Sequence, residues 1–228
     1  MGKVIAIIPA AGKGIRLGKG IPKAFLEVAG VPLIVHTLLR FEKCPDVDEL
    51  IVLVHQDYLE RCRDLFSSFK LKKVRKVLPG GKERMDSVRV GLSALPPDTE
   101  LVVIHDGARP LVSPSLISQV VGRAREVGSA IAAIPPLDTM KEVEGGYILR
   151  TVDRTRLARA QTPQAFRYQI IKEAYERADK EGISATDDAS LVEVMGGRVA
   201  IVPGSYLNIK VTTPEDLKMV ELLLKEGV

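Results

Sequence analysis

The sequence predicts an α/β fold with a mostly parallel sheet flanked by helices. Three observations predict it. Apolar runs of strand length recur without polar alternation, as strands covered on both faces require. Segments with helical spacing lie between them, in the alternation of βαβ units. The first apolar run, Val4-Ile5-Ala6-Ile7-Ile8, ends in a loop of small residues punctuated by cations, where an open α/β sheet usually binds its ligand.

The elements follow in order. Val4 to Ile8 is the first strand, and Ile34 to Phe41 reads as a helix closed by Cys44-Pro45. Leu50 to Val54 is the second strand. Tyr58 to Phe69 repeats Leu59, Cys62, Leu65, Phe66 and Phe69 at helical spacing. Val74 to Leu78 is the third strand, Glu83 to Leu95 a helix, and Leu101 to Ile104 the fourth strand. Ser115 to Val127 is a helix with Pro114 suited to its start, and Ala130 to Ile134 is the fifth strand. The rhythm then breaks. Met140 to Val152 holds two short segments around Glu144-Gly145-Gly146, which predicts a β-hairpin. It either projects as an arm toward a second subunit or packs on its own domain. Helices follow near Tyr168 to Lys180 and Asp187 to Met195, then a strand at Val199 to Val202. The last helix begins at Pro214, with Thr213 as N-cap, and runs to Leu224. The expectation is one domain over 1–228 with the arm at about 138–158.

The 228 residues, 46% of them hydrophobic, suffice for a well-buried core. A net charge of +4 suits anionic small substrates as well as nucleic acid, but 4% aromatics and no Trp leave few stacking platforms for single strands. The cluster Lys70, Lys72, Lys73, Arg75 and Lys76 reads as a solvated face, and no nucleic-acid partner is expected. Cys44 and Cys62 have neither disulfide nor metal spacing. No apolar run approaches the roughly 20 residues that cross a membrane, and the chain opens directly on a strand. The expectation is a cytoplasmic protein.

The chemistry gathers just past the buried strands. In Pro9-Ala10-Ala11-Gly12-Lys13-Gly14-Ile15-Arg16 the small residues let a backbone approach a ligand, and Arg16, Lys19 and Lys23 add positive charge. The loop is neither a Walker motif, lacking Gly-Lys-Ser/Thr, nor a dinucleotide fingerprint, because Leu17 replaces the third glycine. It is a phosphate cradle or a plain turn with solvated lysines. Gly80-Gly81 precede a helix with Ser87 in its first turns, a place that suits an anion or a base edge. Asp106, in His105-Asp106-Gly107-Ala108-Arg109, is placed to hold Mg2+ against phosphate oxygens, and Arg109 to pair with it or reach the Gly12 loop. His105 is assigned to packing. Lys210 stands in an apolar, strand-like context, where a lysine needs an anionic partner. No nucleophile with a base and an orienting third group is present. The inventory matches phosphoryl or nucleotidyl transfer.

The set PAAGKGIRL…PKAFL, GGKERMDSV, HDGARP, DTMK, TVDR, QTPQ, TDDAS and NIKVT, in this order, resembles the 2-C-methyl-D-erythritol 4-phosphate cytidylyltransferase family, from about Val4 to about Leu224. The resemblance implies a Rossmann-like nucleotidyltransferase fold, Mg2+ dependence and a homodimer held partly by the hairpin arm. It implies substrates CTP and a polyol phosphate, with formation of 4-diphosphocytidyl-2-C-methyl-D-erythritol and pyrophosphate. By resemblance, Pro9, Ala10, Ala11, Gly12 and Gly14 would wrap CTP, Gly81 and Ser87 read cytosine, and Ala108 lie nearby. Arg16 and Lys23 would bind the triphosphate, and Asp106 would hold Mg2+. Arg109 and Lys210 would support the substrate phosphate, with Lys210 counted as catalytic alongside Arg16 and Lys23. Thr139, Arg154 and Thr186 would contact methylerythritol phosphate, Arg154 from the partner's arm. Lys82 and Leu207 stand where some relatives carry acids, which leaves Asp106 as the candidate protein ligand. A ribitol-5-phosphate cytidylyltransferase would use much the same loops. A non-catalytic nucleotide-binding paralogue would tolerate losing one of Arg16, Lys23, Asp106 or Lys210, and all four are present.

Overall fold

In the computed structural model, which describes residues 2–12 and 22–227, a seven-stranded sheet is covered by helices on both faces. Its strands are β1 (Lys3–Pro9), β4 (Glu49–Val54), β5 (Val74–Pro79), β6 (Thr99–Ile104), β7 (Ser129–Ile134), β10 (Arg159–Arg167) and β11 (Ala200–Pro203). Their spatial order is β11-β7-β10-β6-β1-β4-β5. Every pairing is parallel except those of β10, which runs antiparallel to both β6 and β7.

The uniform apolar runs follow from this burial. Alternate residues of β1 serve opposite layers. Val4, Ala6 and Ile8 pack with α1 (Leu33–Glu42), α2 (Leu59–Ser68) and α4 (Pro114–Val127). Ile5 and Ile7 pack with α3 (Arg84–Ser93), α5 (Tyr168–Glu181) and α6 (Asp188–Val194). A strand whose two faces both meet helices has no solvent face to make polar. A third, smaller cluster joins α7 (Pro214–Lys225) to β2 (Glu27–Val28), which pairs with β3 (Val31–Pro32), and to the start of α1, through Val220, Val28 and Leu33.

The predicted helices stand within a residue or two of their expected ends, for local reasons. Ser113 Oγ caps α4 by accepting from Leu116 N, ahead of Pro114. Thr213 and Asp216 form a reciprocal cap on α7. The hairpin is also present, as β8 (Met140–Glu144) and β9 (Tyr147–Val152). Gly145 and Gly146, with φ of 56° and 86°, supply the two positive-φ positions that a two-residue hairpin turn demands. Every residue of β8 is exposed, and so is all of β9 except Val152.

Two readings need correction. Lys210 is not on a strand: residues 204–213 form a loop. β10 falls where the local sequence signals no strand: Gln161-Thr162-Pro163-Gln164 at its centre is polar, and proline is rare in central strands. The strand breaks register between Ala160 and Gln164. Its polar side chains are buried yet paired: Gln161 Nε2 donates to Ser205 O at 2.9 Å, and Gln164 Nε2 to Asp187 Oδ2 at 2.8 Å.

Phe166 anchors β10 and is fully buried. Truncation by Phe166→Ala removes that packing and leaves a cavity, so chemical denaturation should show a loss of about 3–5 kcal/mol in unfolding free energy.

Candidate functional site

The strand order dictates where a cleft opens. From β1 the chain winds outward through β4 and β5, then returns to place β6 on the other side of β1. The loops after β1 and β6 therefore leave the sheet in diverging directions at its carboxyl edge. They remain stitched together at their base: His105 N donates to Ile7 O at 3.1 Å and Gly107 N to Pro9 O at 3.2 Å. Gly107 suits this close approach, since a Cβ would stand 2.8 Å from Ile34 Cδ1 and 3.0 Å from Ala10 Cβ.

A cleft of about 630 Å³ lies at this point. One wall is Pro9, Ala10, Ala11 and Gly12, with Lys23 and Ala24 beyond. The opposite wall is Gly81 to Arg84 with Ser87. Asp106, Gly107, Ala108 and Lys210 complete it. Gly80 tightens the second wall, because a Cβ there would fall 2.4 Å from Ala11 Cβ. Ser87 Oγ accepts from Gly81 N at 3.1 Å, which fixes the turn ahead of α3. Lys23 Nζ donates to Val211 O at 2.8 Å, tying the first wall to the Lys210 loop.

Asp106 is the charged centre, with its side chain 8% exposed. Arg84 Nε donates to its Oδ1 at 2.9 Å, Lys210 Nζ lies 2.8 Å from its Oδ2, and Arg109 Nε lies 3.5 Å from the same oxygen. Burial would raise the carboxyl's pKa, but Arg84, Lys210 and Arg109 together hold it far below the usual carboxylate range. The group is ionised at any physiological pH. Arg109 also donates to Asn208 O at 2.7 Å and lines a second cleft, of about 1070 Å³, that adjoins the first through Lys210.

His105 serves packing, as expected, and also orientation. It lies fully buried against Phe41, with ring centroids 5.0 Å apart. Thr162 Oγ1 accepts from Asp106 N at 3.1 Å and sits 3.0 Å from His105 Nδ1, while Nε2 lies 3.3 Å from Arg109 O. A neutral ring with its hydrogen on Nε2 satisfies all three contacts. Burial pushes its pKa down to about 3, against the pull of Asp106.

The structure thus brings Pro9, Ala10, Ala11, Gly12, Lys23, Gly81, Ser87, Asp106, Ala108 and Lys210 to one cleft, with Arg109 in contact with Asp106. Gly14 and Arg16 lie outside the described residues. Thr139, Arg154 and Thr186 are exposed and line neither cleft. Arg154 donates to Leu137 O at the base of the hairpin. Sequence reasoning missed Arg84 and Asp188. Arg84 follows Gly80-Gly81 closely enough to suggest a cleft residue, but nothing in its spacing points to Asp106 or Asp188.

Among the described residues no three acidic, His or Cys side chains converge as a closed metal cage. Mg2+ instead suits an open site of one or two carboxylates completed by phosphates and water. The ionised Asp106 fits that role. Arg84 hydrogen-bonds its Oδ1 and Lys210 its Oδ2, of the roughly four acceptor positions a carboxylate offers.

Neutral, buried His105 makes stability depend on pH. Its folded pKa lies below the unfolded value, so the unfolded chain alone takes up a proton as pH falls below about 6.5. Between pH 6 and 5, above the usual carboxylate range, unfolding free energy should fall with a slope approaching about 1.4 kcal/mol per pH unit. In His105→Gln that part of the slope should vanish when denaturation is repeated at each pH.

Comparison with known proteins places this cleft in context. The family model for IspD, 2-C-methyl-D-erythritol 4-phosphate cytidylyltransferase, matches residues 4–226. The chain is 47% identical over 226 residues to the 2-C-methyl-D-erythritol 4-phosphate cytidylyltransferase of Syntrophus aciditrophicus, covering 98% of this chain and 97% of that protein. It is similar to the crystal structure of the cytidylyltransferase of that name from Thermus thermophilus, with TM-score 0.83 and 36% identity over 98% of this chain and 99% of that one. It is also similar to the 4-diphosphocytidyl-2C-methyl-D-erythritol synthase of Anaerococcus prevotii, with TM-score 0.88 and 31% identity over 98% of this chain and 96% of that one. These neighbours share the Rossmann-like sheet seen here. With a family match over nearly its whole length, the chain belongs to the 2-C-methyl-D-erythritol 4-phosphate cytidylyltransferase family.

Proposed function

We propose that this chain joins CTP to 2-C-methyl-D-erythritol 4-phosphate, forming 4-diphosphocytidyl-2-C-methyl-D-erythritol and pyrophosphate in isoprenoid precursor synthesis. The observation that carries the reading is the ionised Asp106 set among Arg84, Lys210 and Arg109 in a cleft walled by Pro9–Gly12. A phosphate oxygen of methylerythritol phosphate attacks the α-phosphorus of CTP. The new P–O bond forms as the bond to the β-phosphate breaks, and pyrophosphate leaves. The attacking phosphate is already ionised, so no protein base is required.

The protein's contribution is then position and charge. The backbone of Pro9, Ala10, Ala11 and Gly12 wraps the nucleotide, with the same role assigned to Gly14 outside the described residues; Gly81 and Ser87 read the cytosine, and Ala108 lies beside it. Lys23 and Lys210, with Arg16 from outside the described residues, neutralise charge that develops on the phosphates. Arg109 supports the substrate phosphate through the second cleft. Asp106 would hold Mg2+. Bound there, the metal would act as a Lewis acid on phosphate oxygens.

Thr139, Arg154 and Thr186 complete the polyol site in a homodimer, with Arg154 supplied by the partner's arm. Two features support this. Within one chain, Thr139 and Arg154 stand on the arm away from the cleft. The arm also exposes Val143, Tyr147, Ile148 and Leu149, an apolar surface that a partner would cover. Among the described residues no helix is long and apolar enough to cross a membrane. The buried, unpaired Cys44 and Cys62 suit the reducing cytoplasm in which we place the reaction.

Pyrophosphate release should appear with CTP, Mg2+ and methylerythritol phosphate. Release with ribitol 5-phosphate alone would keep the chemistry and move the pathway. Lys23→Ala should slow turnover about a hundredfold or more, corresponding to at least ~3 kcal/mol of lost charge stabilisation; an unchanged rate would remove Lys23 from the mechanism. Ile148→Asp on the arm should yield monomers by sedimentation and lose turnover, and a fully active monomer would reject the shared site.

A further inference from the structure

Asp106 is gripped from α3 as well as from the loops around it. Arg84, the first residue of α3, donates from Nε to Asp106 Oδ1 at 2.9 Å and from Nη2 to Asp188 Oδ2 at 2.7 Å. Asp188 opens α6 with its side chain fully buried. Its Oδ1 accepts from Tyr175 Oη at 2.6 Å. Its backbone N, and that of Ala189, donate to Gln164 Oε1 at 3.1 Å. The chain of contacts runs from α5 and α6 through Arg84 to the carboxylate.

The two oxygens of Asp106 are thereby pulled from different sides. Lys210 and Arg109 both approach Oδ2, and among the described residues only Arg84 holds Oδ1. Without Arg84, nothing described would oppose rotation of the carboxylate toward the Lys210 loop. Lysine could not replace it, because a single ammonium point charge lacks the fork that meets two carboxylates at once.

We propose that Arg84 is a positioning residue for the transfer step: held by Asp188 and Tyr175, it keeps the Asp106 carboxylate oriented in the cleft against Lys210 and Arg109. This inference rests on the proposed function, in which Asp106 meets Mg2+ and the phosphates. Asp188 also has a defined part, since it shares the Arg84 charge and so limits how far Arg84 neutralises Asp106.

Arg84→Lys and Asp188→Asn test it, with Tyr175→Phe as the mildest break in the chain. Each would be assayed for kcat, for KM toward CTP and for melting temperature. Arg84→Lys should lower kcat between about tenfold and a hundredfold, the range expected of a displaced catalytic group, while KM for CTP stays near the wild-type value. Asp188→Asn carries the same expectation should Arg84→Lys fold poorly, and Tyr175→Phe should show a smaller fall in kcat. A wild-type kcat in the first two variants, or a lower melting temperature with unchanged kcat per folded molecule, would overturn the proposal. A wild type inert toward CTP and methylerythritol phosphate would instead defeat the proposed function. Arg84 would then be judged by Mn2+ binding in the presence of CTP, followed by electron paramagnetic resonance. Weaker binding in Arg84→Lys supports the positioning role, and equal binding rejects it.

Discussion

The buried carboxylate of Asp106 is the constraint on which the cleft depends. A charge with 8% of its side chain exposed persists only if counter-charges and hydrogen bonds replace the water it has lost. Here the replacements come from three separate parts of the chain: Arg84 on α3, Arg109 on the loop after β6, and Lys210 on the loop before α7. Thr162 on β10 receives the Asp106 backbone N–H. Removing any one partner leaves the others facing an under-compensated group, so the walls of the cleft are energetically linked.

That linkage explains why a polar, proline-containing segment lies within the sheet. β10 is short of apolar residues around Gln161–Gln164, and a continuous apolar strand would pack more simply. Its buried polar side chains, however, reach both layers beside the cleft. Gln161 holds the Ser205 loop, Thr162 meets Asp106 and His105, and Gln164 meets the start of α6. Paired buried polar side chains confine the geometry around them. The sheet thus carries the rigidity that a site built on electrostatic positioning requires.

The topological return from β5 to β6 supplies the space. Neighbouring strands whose connections depart in opposite directions leave a crevice at their carboxyl ends. The close approaches of Gly80 to Ala11 and of Gly107 to Ala10 and Ile34 keep that crevice narrow. Membership in a cytidylyltransferase family accords with this frame, in which small residues and cations line both walls.

Much of this was legible in the sequence. Uniform apolar runs, helical periodicities, the Pro114, Thr213 and Gly145-Gly146 signals and the chemistry of the strand-end loops are local features, expressed within a few residues. They determined the alternation of strands and helices, the hairpin, and the identity of most residues around the cleft. What only the tertiary structure decided involves residues far apart. The antiparallel insertion of β10 depends on pairing partners that its own polar residues do not announce. The loop conformation around Lys210 depends on Asp106, since a lysine among apolar residues reads locally as a strand. The Arg84–Asp188 contact joins positions 104 residues apart, and the position of the arm's Arg154 outside the cleft depends on where the whole hairpin leaves the sheet. Periodicity records which face of an element is buried; it does not record which distant charge will meet it there.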